Sequence, residues 1–250
     1  MATGTSAPGA KDQAGAAQWV KRAFAEVAPK YDLLNHLLSF NIDRSWRKRL
    51  VYRLRPVLST PGARVLDLCC GTGDVLIDLQ RVAGRRRGKG ATIMGADFCH
   101  PMLAAARRKL AKRHYASKLF EADALQLPLR DGSLDAIAIA FGFRNLTNYN
   151  AGLEELYRVL RPGGVLAILE FSHVQRLSLR IAYGIYSRWI LPKVGERISG
   201  SRDAYAYLPN SIRKFPRAGE LQKRMLSAGF RRVDYEYLSG GIAALHVAVK

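Results

Sequence analysis

Five stretches of the chain are near-continuous apolar runs rich in β-branched residues: Arg64 to Cys69, Ala91 to Phe98, Leu119 to Ala122, Leu134 to Phe141 and Val165 to Phe171. Unbroken hydrophobicity, in place of alternation, predicts strands covered on both faces. Between these runs apolar residues recur at helical spacing over Asp74 to Val82, Pro101 to Lys112 and Ala151 to Leu160. The last is closed by Arg161-Pro162-Gly163-Gly164, which reads as a stop and turn. Strand and helix alternating in this way predict an α/β fold with a doubly wound, mostly parallel, Rossmann-like sheet.

Two later segments, Arg232 to Leu238 and Ala243 to Val249, are joined by Ser239-Gly240-Gly241 and predict an antiparallel carboxy-terminal hairpin at the sheet edge. Ahead of the sheet, residues 18–58 read as two or three helices, with Trp46, Leu50 and Leu54 on one face. Residues 174–216 form a helical lid insertion. Residues 1–17, rich in Ala, Gly, Ser and Thr, read as a flexible tail that buries too little to offset its ordering entropy. The remainder, 18–250, is expected to be a single domain.

Composition changes this picture in one respect. Hydrophobic residues make up 48% of the chain and are spread along it, so a core forms without a membrane span. Cys69, Cys70 and Cys99 have no metal-ligand spacing and make a poor disulfide set, so no metal is expected and a reducing cytoplasm fits. The tail has neither the apolar core of a secretory signal nor the cations of a transit peptide. The net charge of +20, however, invites an anionic partner. Nucleic acid, anionic lipid and an acidic ligand all satisfy it, as does a plain solvated surface.

Ligands of open α/β sheets bind beyond the carboxyl ends of the strands, first at the turn after strand one. Here that turn is Asp67-Leu68-Cys69-Cys70-Gly71-Thr72-Gly73-Asp74. Gly71 and Gly73 permit a sharp turn and close approach, while Thr72 and the helix start offer donors to a carboxylate. A dinucleotide fingerprint would need a third glycine where this chain has Leu76, so a pyrophosphate is disfavoured. Asp97, at the end of strand two, can accept both ribose hydroxyls, or can cap the helix that starts near Pro101. Asp123-Ala124, after strand three, can read an adenine edge, and Met102 can pack on its face or simply fill the core. Three such signals in order at successive strand ends point to S-adenosylmethionine.

Longer motifs carry a resemblance. Tyr31-Asp32-Leu33-Leu34-Asn35-His36-Leu37-Leu38-Ser39 closing with Trp46, the run Arg158 to Ser172, Phe141-Gly142-Phe143-Arg144-Asn145 and Asp203 to Ile212 resemble the UbiE/MenG/COQ5 type of quinone-biosynthesis C-methyltransferases over nearly the whole chain after the tail. Two positions depart from it: Asp43 stands where His is frequent, which removes a histidine base, and Leu34 where Met is frequent. The resemblance implies a class I S-adenosylmethionine-dependent fold. It also implies C-methylation of a polyprenylated quinol, either demethylmenaquinol or the benzoquinol of ubiquinone synthesis.

A quinol carbon becomes nucleophilic when a neighbouring hydroxyl loses its proton, and a phenol of pKa about 10 is barely ionised at neutral pH. Arg144 is expected to favour the phenolate electrostatically, since a guanidinium stays protonated. Asn145 is expected to hydrogen-bond a quinol oxygen, and Tyr31 or Asp32 to orient the ring or relay its proton. The structural alternatives are a salt bridge for Arg144, a turn for Asn145 and packing for Tyr31. An isoprenoid tail calls for apolar cover and a route from the bilayer, so Leu177 to Val194 suits the inner face of the cell membrane as a peripheral, anionic-lipid contact. Oligomeric state is open, a homodimer included. A nucleic-acid methyltransferase is the main rival, but Ala140-Phe141-Gly142-Phe143 lacks the amino-methylation motif and no Pro-Cys is present. A non-enzymatic basic module leaves the ordered cofactor residues unexplained.

Overall fold

The computed structural model describes residues 4–5, 7–32, 39, 41–84, 90–175, 184 and 202–250. Among these, β1 (Arg64–Leu68), β2 (Thr92–Asp97), β3 (Lys118–Glu121), β4 (Leu134–Ala140), β5 (Leu160–Phe171), β6 (Arg232–Leu238) and β7 (Ala243–Val249) make a seven-stranded sheet in the order β3-β2-β1-β4-β5-β7-β6. Strands β1 to β5 are parallel, whereas β7 runs antiparallel to both of its neighbours. The carboxy-terminal pair is thus the expected hairpin, with β7 inside and β6 at the edge.

Alternate residues of the central strands fall into two separate cores, which is why their sequences are apolar throughout. Leu66, Leu68, Ile137, Ile139, Leu166 and Ile168 face helices α6 (Tyr149–Val159) and α8 (Ala218–Ser227), whose Leu153, Leu156, Leu221 and Met225 are buried against them. Val65, Ala136, Ala138, Ala167 and Leu169 face α2 (Ile42–Arg53), the short α3 (Arg55–Leu58) and α4 (Asp74–Ala83) through Leu50, Leu54, Leu58, Leu76 and Leu79. Helix α5 (His100–Ala111) follows β2, and α7 (Arg202–Lys214) precedes α8.

Two boundaries differ from the sequence expectation. Strand β5 starts at Leu160, ahead of the apolar run, because Leu160 pairs with Leu134 and a register shift between Leu134 and Ala136 absorbs the turn residues. The turn is then pinned to the chain end: Gly163 N–H donates to the Lys250 carbonyl and Lys250 N–H to that of Gly164. Helix α1 (Gln13–Val27) begins inside the stretch read as a tail. Asp12 caps it by accepting from the Gly15 N–H at 2.7 Å, and Ala16, Val20 and Val27 bury one stripe. Val27 and Ala28 pack with Cys99 and Met102 of the β2–α5 region, with Phe24, Tyr31 and Phe98 at their margin. The amino-terminal helix therefore roofs the carboxyl edge of the sheet.

Candidate active site

Strand order reverses between β1 and β4, so the chain leaves β1 and β4 toward opposite faces and opens a crevice between them. A cleft of about 750 Å³ occupies it, lined by Tyr31, Cys69, Gly71, Asp97, Met102, Asp123, Ala124, Phe141 and Asn145 among others. Cys69 (φ 55°) and Phe141 (φ 60°), at the ends of β1 and β4, are both left-handed without being glycine. Strain at two strand ends facing one cleft is typical of a functional edge.

At the β1 turn Gly71 and Gly73 have φ of +52° and +87°, and a Cβ on Gly73 would stand 3.2 Å from that of Ala106. The turn therefore requires glycine both for its backbone and for its packing on α5. Gly71 N–H donates to Asp97 Oδ2 at 2.8 Å and Cys99 N–H to Oδ1 at 2.9 Å. Each carboxylate oxygen still has capacity for a hydroxyl. The helix-cap alternative does not hold, since Cys99 is the N-cap of α5 and no side chain caps it. Burial pushes the Asp97 carboxyl up to about 6, against the pull of the Cys99 and Gly71 N–H groups. A carboxylate held in so unfavourable a place is a mark of ligand binding.

Asp123 is exposed, with Oδ1 taken by the Leu125 N–H at 2.9 Å, and it shares the lining with Ala124. Met102 is 1% exposed, so it belongs to the core under α1 and to the cleft wall together. Thr72 lies elsewhere: it is not in the lining, and its hydroxyl donates to Asp32 Oδ1 while accepting from Lys109 Nζ at 3.2 Å. Lys109 also pairs with Asp32 at 2.6 Å and Asp74 at 2.7 Å. Arg47 extends this chain of charges to Asp74 at 3.3 Å and to Asp43 at 2.8 Å. Asp43, the departure from the family motif, is 4% exposed and takes a further bond from Ser39 at 2.6 Å. It anchors Arg47, which in turn reaches Asp74 of α4, and it is not among the residues lining the cleft.

Arg144 and Asn145 sit in a short 3-10 turn, Phe143–Asn145, directly after β4. Asn145 reaches the cleft, whereas Arg144 is 5% exposed, outside the lining, and paired to Glu170 of β5. Its Nη1 donates to Glu170 Oε1 at 3.0 Å and to the Phe141 carbonyl, and its backbone N–H to Glu170 Oε2 at 3.1 Å. Burial opposes the cation, but the attraction of Glu170, then Tyr207 and Tyr31, outweighs it and holds Arg144 protonated. The guanidinium lies over Phe171 at 5.4 Å, and its Nε is buried with no partner. The salt-bridge alternative is thus realised, and a role in the reaction has to act across the turn. Tyr31 contacts the glycine loop, its Cε1 3.8 Å from where a Cβ of Gly71 would stand.

Lys109, Thr5 and Tyr207 escaped the sequence reading; Lys109 falls in the basic run Arg107 to Arg113, where nothing separates it from its neighbours. The segment Leu177 to Val194, residues 33–38 of the first motif and the basic loop 85–89 lie outside the described residues, Gly184 excepted.

The sequence profile described as the ubiE/COQ5 methyltransferase family matches residues 10–250. The demethylmenaquinone methyltransferase of Thermus thermophilus is 48% identical over 224 residues, covering 90% of this chain and 98% of its own. The ubiquinone/menaquinone biosynthesis C-methyltransferase UbiE of Shewanella oneidensis is 41% identical, with 94% of this chain and 91% of its own covered. Among solved structures, an S-adenosylmethionine-dependent methyltransferase of Thermotoga maritima superposes with a TM-score of 0.62 at 18% identity, over 92% of this chain and 99% of that one. That last likeness concerns the fold alone.

Proposed function

The chain belongs to the ubiE/COQ5 methyltransferase family, and on that footing we propose that it moves the methyl group of S-adenosylmethionine to a ring carbon of a polyprenylated quinol, converting demethylmenaquinol to menaquinol. The observation that carries this reading is one continuous cleft: Gly71, Asp97, Met102, Asp123 and Ala124 line it together with Tyr31, Phe141 and Asn145. The naphthoquinol is preferred because the relative at 48% identity is named for demethylmenaquinone.

Bound S-adenosylmethionine supplies an electrophilic methyl group. Asp97 holds the ribose, Asp123 and Ala124 the purine edge, and Met102 the purine face. Tyr31 and Phe141 flank a flat ring with aromatic surface, and Asn145 hydrogen-bonds its oxygen. Arg144, its Nε–H without a partner, lowers the cost of the phenolate from behind the turn. Alignment of methyl and carbon in the cleft supplies much of the remaining rate.

The test is complementation of two bacterial strains, one lacking menaquinol methylation and one lacking ubiquinol methylation, with quinones measured by mass spectrometry. Restored menaquinone is expected. Ubiquinone alone would reassign the ring, as the relative named for both pathways allows, and neither product would overturn the substrate class.

An isoprenoid substrate also motivates a peripheral membrane contact. No helix among the described residues is long and apolar enough to cross a membrane. In the basic run of α2 and the start of α3, Arg49 and Arg53 are spent on Glu236 and Arg47 on Asp43, while Arg44, Lys48 and Arg55 are exposed. We expect vesicles containing phosphatidylglycerol to sediment the protein at low salt and to release it as salt screens the charges. Equal sedimentation with neutral vesicles would remove the electrostatic contact.

A further inference from the structure

Gly4 and Thr5, ahead of α1, are laid against the cleft-lining segment Leu146–Thr147. Thr5 N–H donates to the Leu146 carbonyl at 2.7 Å, and a Cβ on Gly4 would fall 1.8 Å from the Thr147 carbonyl oxygen. Backbone meets backbone there, at a separation that admits only glycine. Leu146 and Thr147 both line the cleft. From this strap Thr5 Oγ1 approaches the Tyr207 hydroxyl at 2.7 Å, and that hydroxyl donates to Asn145 Oδ1 at 3.0 Å. Tyr207 is 6% exposed, and its ring packs on Trp19 of α1 with centroids 5.1 Å apart. The phenol is therefore gripped by α1, by α7 and by the strap.

Hydrogen-bond arithmetic gives this chain a direction. A phenol has a single proton, and Tyr207 gives it to the Asn145 carbonyl; its oxygen can then only accept, so Thr5 is the donor. Oδ1 is turned to Tyr207, and the other arm of the Asn145 carboxamide is its NH2, which donates only. A donor aimed at a quinol oxygen favours the phenolate, whereas an acceptor there would favour the unreactive phenol. Successive bonds of the same sense also polarise one another, which strengthens the terminal donor.

We infer that Tyr207 and Thr5 are positioning residues of the methyl transfer: they fix the Asn145 carboxamide with its NH2 toward the acceptor oxygen. The inference rests on the reading in which Asn145 touches the quinol. It makes Gly4 and Thr5, within the stretch that composition reads as a tail, a working part of the site.

The test uses the full chain, S-adenosylmethionine and a ring-unmethylated naphthoquinol with a short isoprenoid tail. Tyr207→Phe is expected to lower kcat near pH 7 by roughly tenfold to a hundredfold, with KM and cofactor affinity changed by no more than about twofold. The deficit should shrink near pH 9, where the acceptor phenol ionises with less help. Thr5→Val should show a smaller loss of the same kind, and Thr5→Ser, which keeps the hydroxyl, should restore the rate. In an Asn145→Ala background, Tyr207→Phe should add less than about twofold, because the group it positions is gone. A Tyr207→Phe enzyme with unchanged kcat, or with the same deficit at both pH values, overturns the inference. Normal turnover by Asn145→Ala alone overturns the reading beneath it instead. Thr5→Val, near-isosteric and outside any helix, keeps the question answerable should Tyr207→Phe fold poorly.

Discussion

Asp97→Ala is expected to weaken binding of S-adenosylhomocysteine by two to three orders of magnitude, about 3–4 kcal/mol, and to abolish turnover at ordinary cofactor concentrations. Two contributions add. The variant loses the acceptor for both ribose hydroxyls, and it releases the Gly71 and Cys99 N–H groups that now hold the glycine turn and the start of α5 against one carboxylate. A pH signature separates the first contribution from the second. Because burial lifts this carboxyl to about 6 in the free protein, it is about nine-tenths ionised at pH 7 but only about one-tenth at pH 5. The ligand hydroxyls need the ionised form, so affinity should be level above pH 7 and fall toward tenfold per unit below about 6. Asp97→Asn, which keeps one acceptor oxygen for the turn and cannot ionise, should bind weakly with no slope in that window. Calorimetry at several pH values decides the matter: wild-type affinity flat from pH 7 to 5, or Asp97→Ala within about threefold of wild type, would remove Asp97 from the ribose.

The second large effect is at Arg144. Its replacement by alanine leaves Glu170, 1% exposed, as an unpaired charge in the core, and removes the donor to the Phe141 carbonyl. Breaking such a buried pair costs about 3–5 kcal/mol. Chemical denaturation should therefore show the single variant severely destabilised, which by itself would explain any loss of activity. The informative protein is the double variant Arg144→Met, Glu170→Gln. It removes both charges at similar volume, and the Gln carbonyl can still accept from one of the two backbone N–H groups, at position 144 or 171, that now bond separate oxygens of Glu170. Most of the stability should return. Turnover should stay about two to three orders of magnitude down, since no fixed cation remains to favour the phenolate. A double variant that both folds and turns over normally would reduce Arg144 to a structural residue.

The five apolar runs appear as β1 to β5 within a few residues, and the hairpin segments Arg232 to Leu238 and Ala243 to Val249 coincide with β6 and β7. Such runs are legible because burial on two faces removes every polar position locally, so each strand carries its own signature. The ordering of Gly71, Asp97 and Asp123 at successive strand ends follows once the strands are parallel, since parallel strands bring their carboxyl ends to one edge.

The remaining features arise from contacts between distant segments. That Thr72 gives its hydroxyl to Asp32, that Lys109 clamps Asp74, and that Arg144 meets Glu170 depend on separations of 40, 35 and 26 residues. Thr5 and Tyr207 stand 202 apart. Side-chain pairing across such intervals leaves no periodicity, because partner choice is set by packing of whole elements and not by local spacing. The sequence by itself determined the strand and helix series, the parallel sheet and the residues at its carboxyl edge, since these follow from local hydrophobic pattern and turn chemistry. Only the tertiary structure decided which charges are consumed by one another, that Tyr207 bonds Asn145, and that Gly4 and Thr5 lie against the backbone of Leu146 and Thr147.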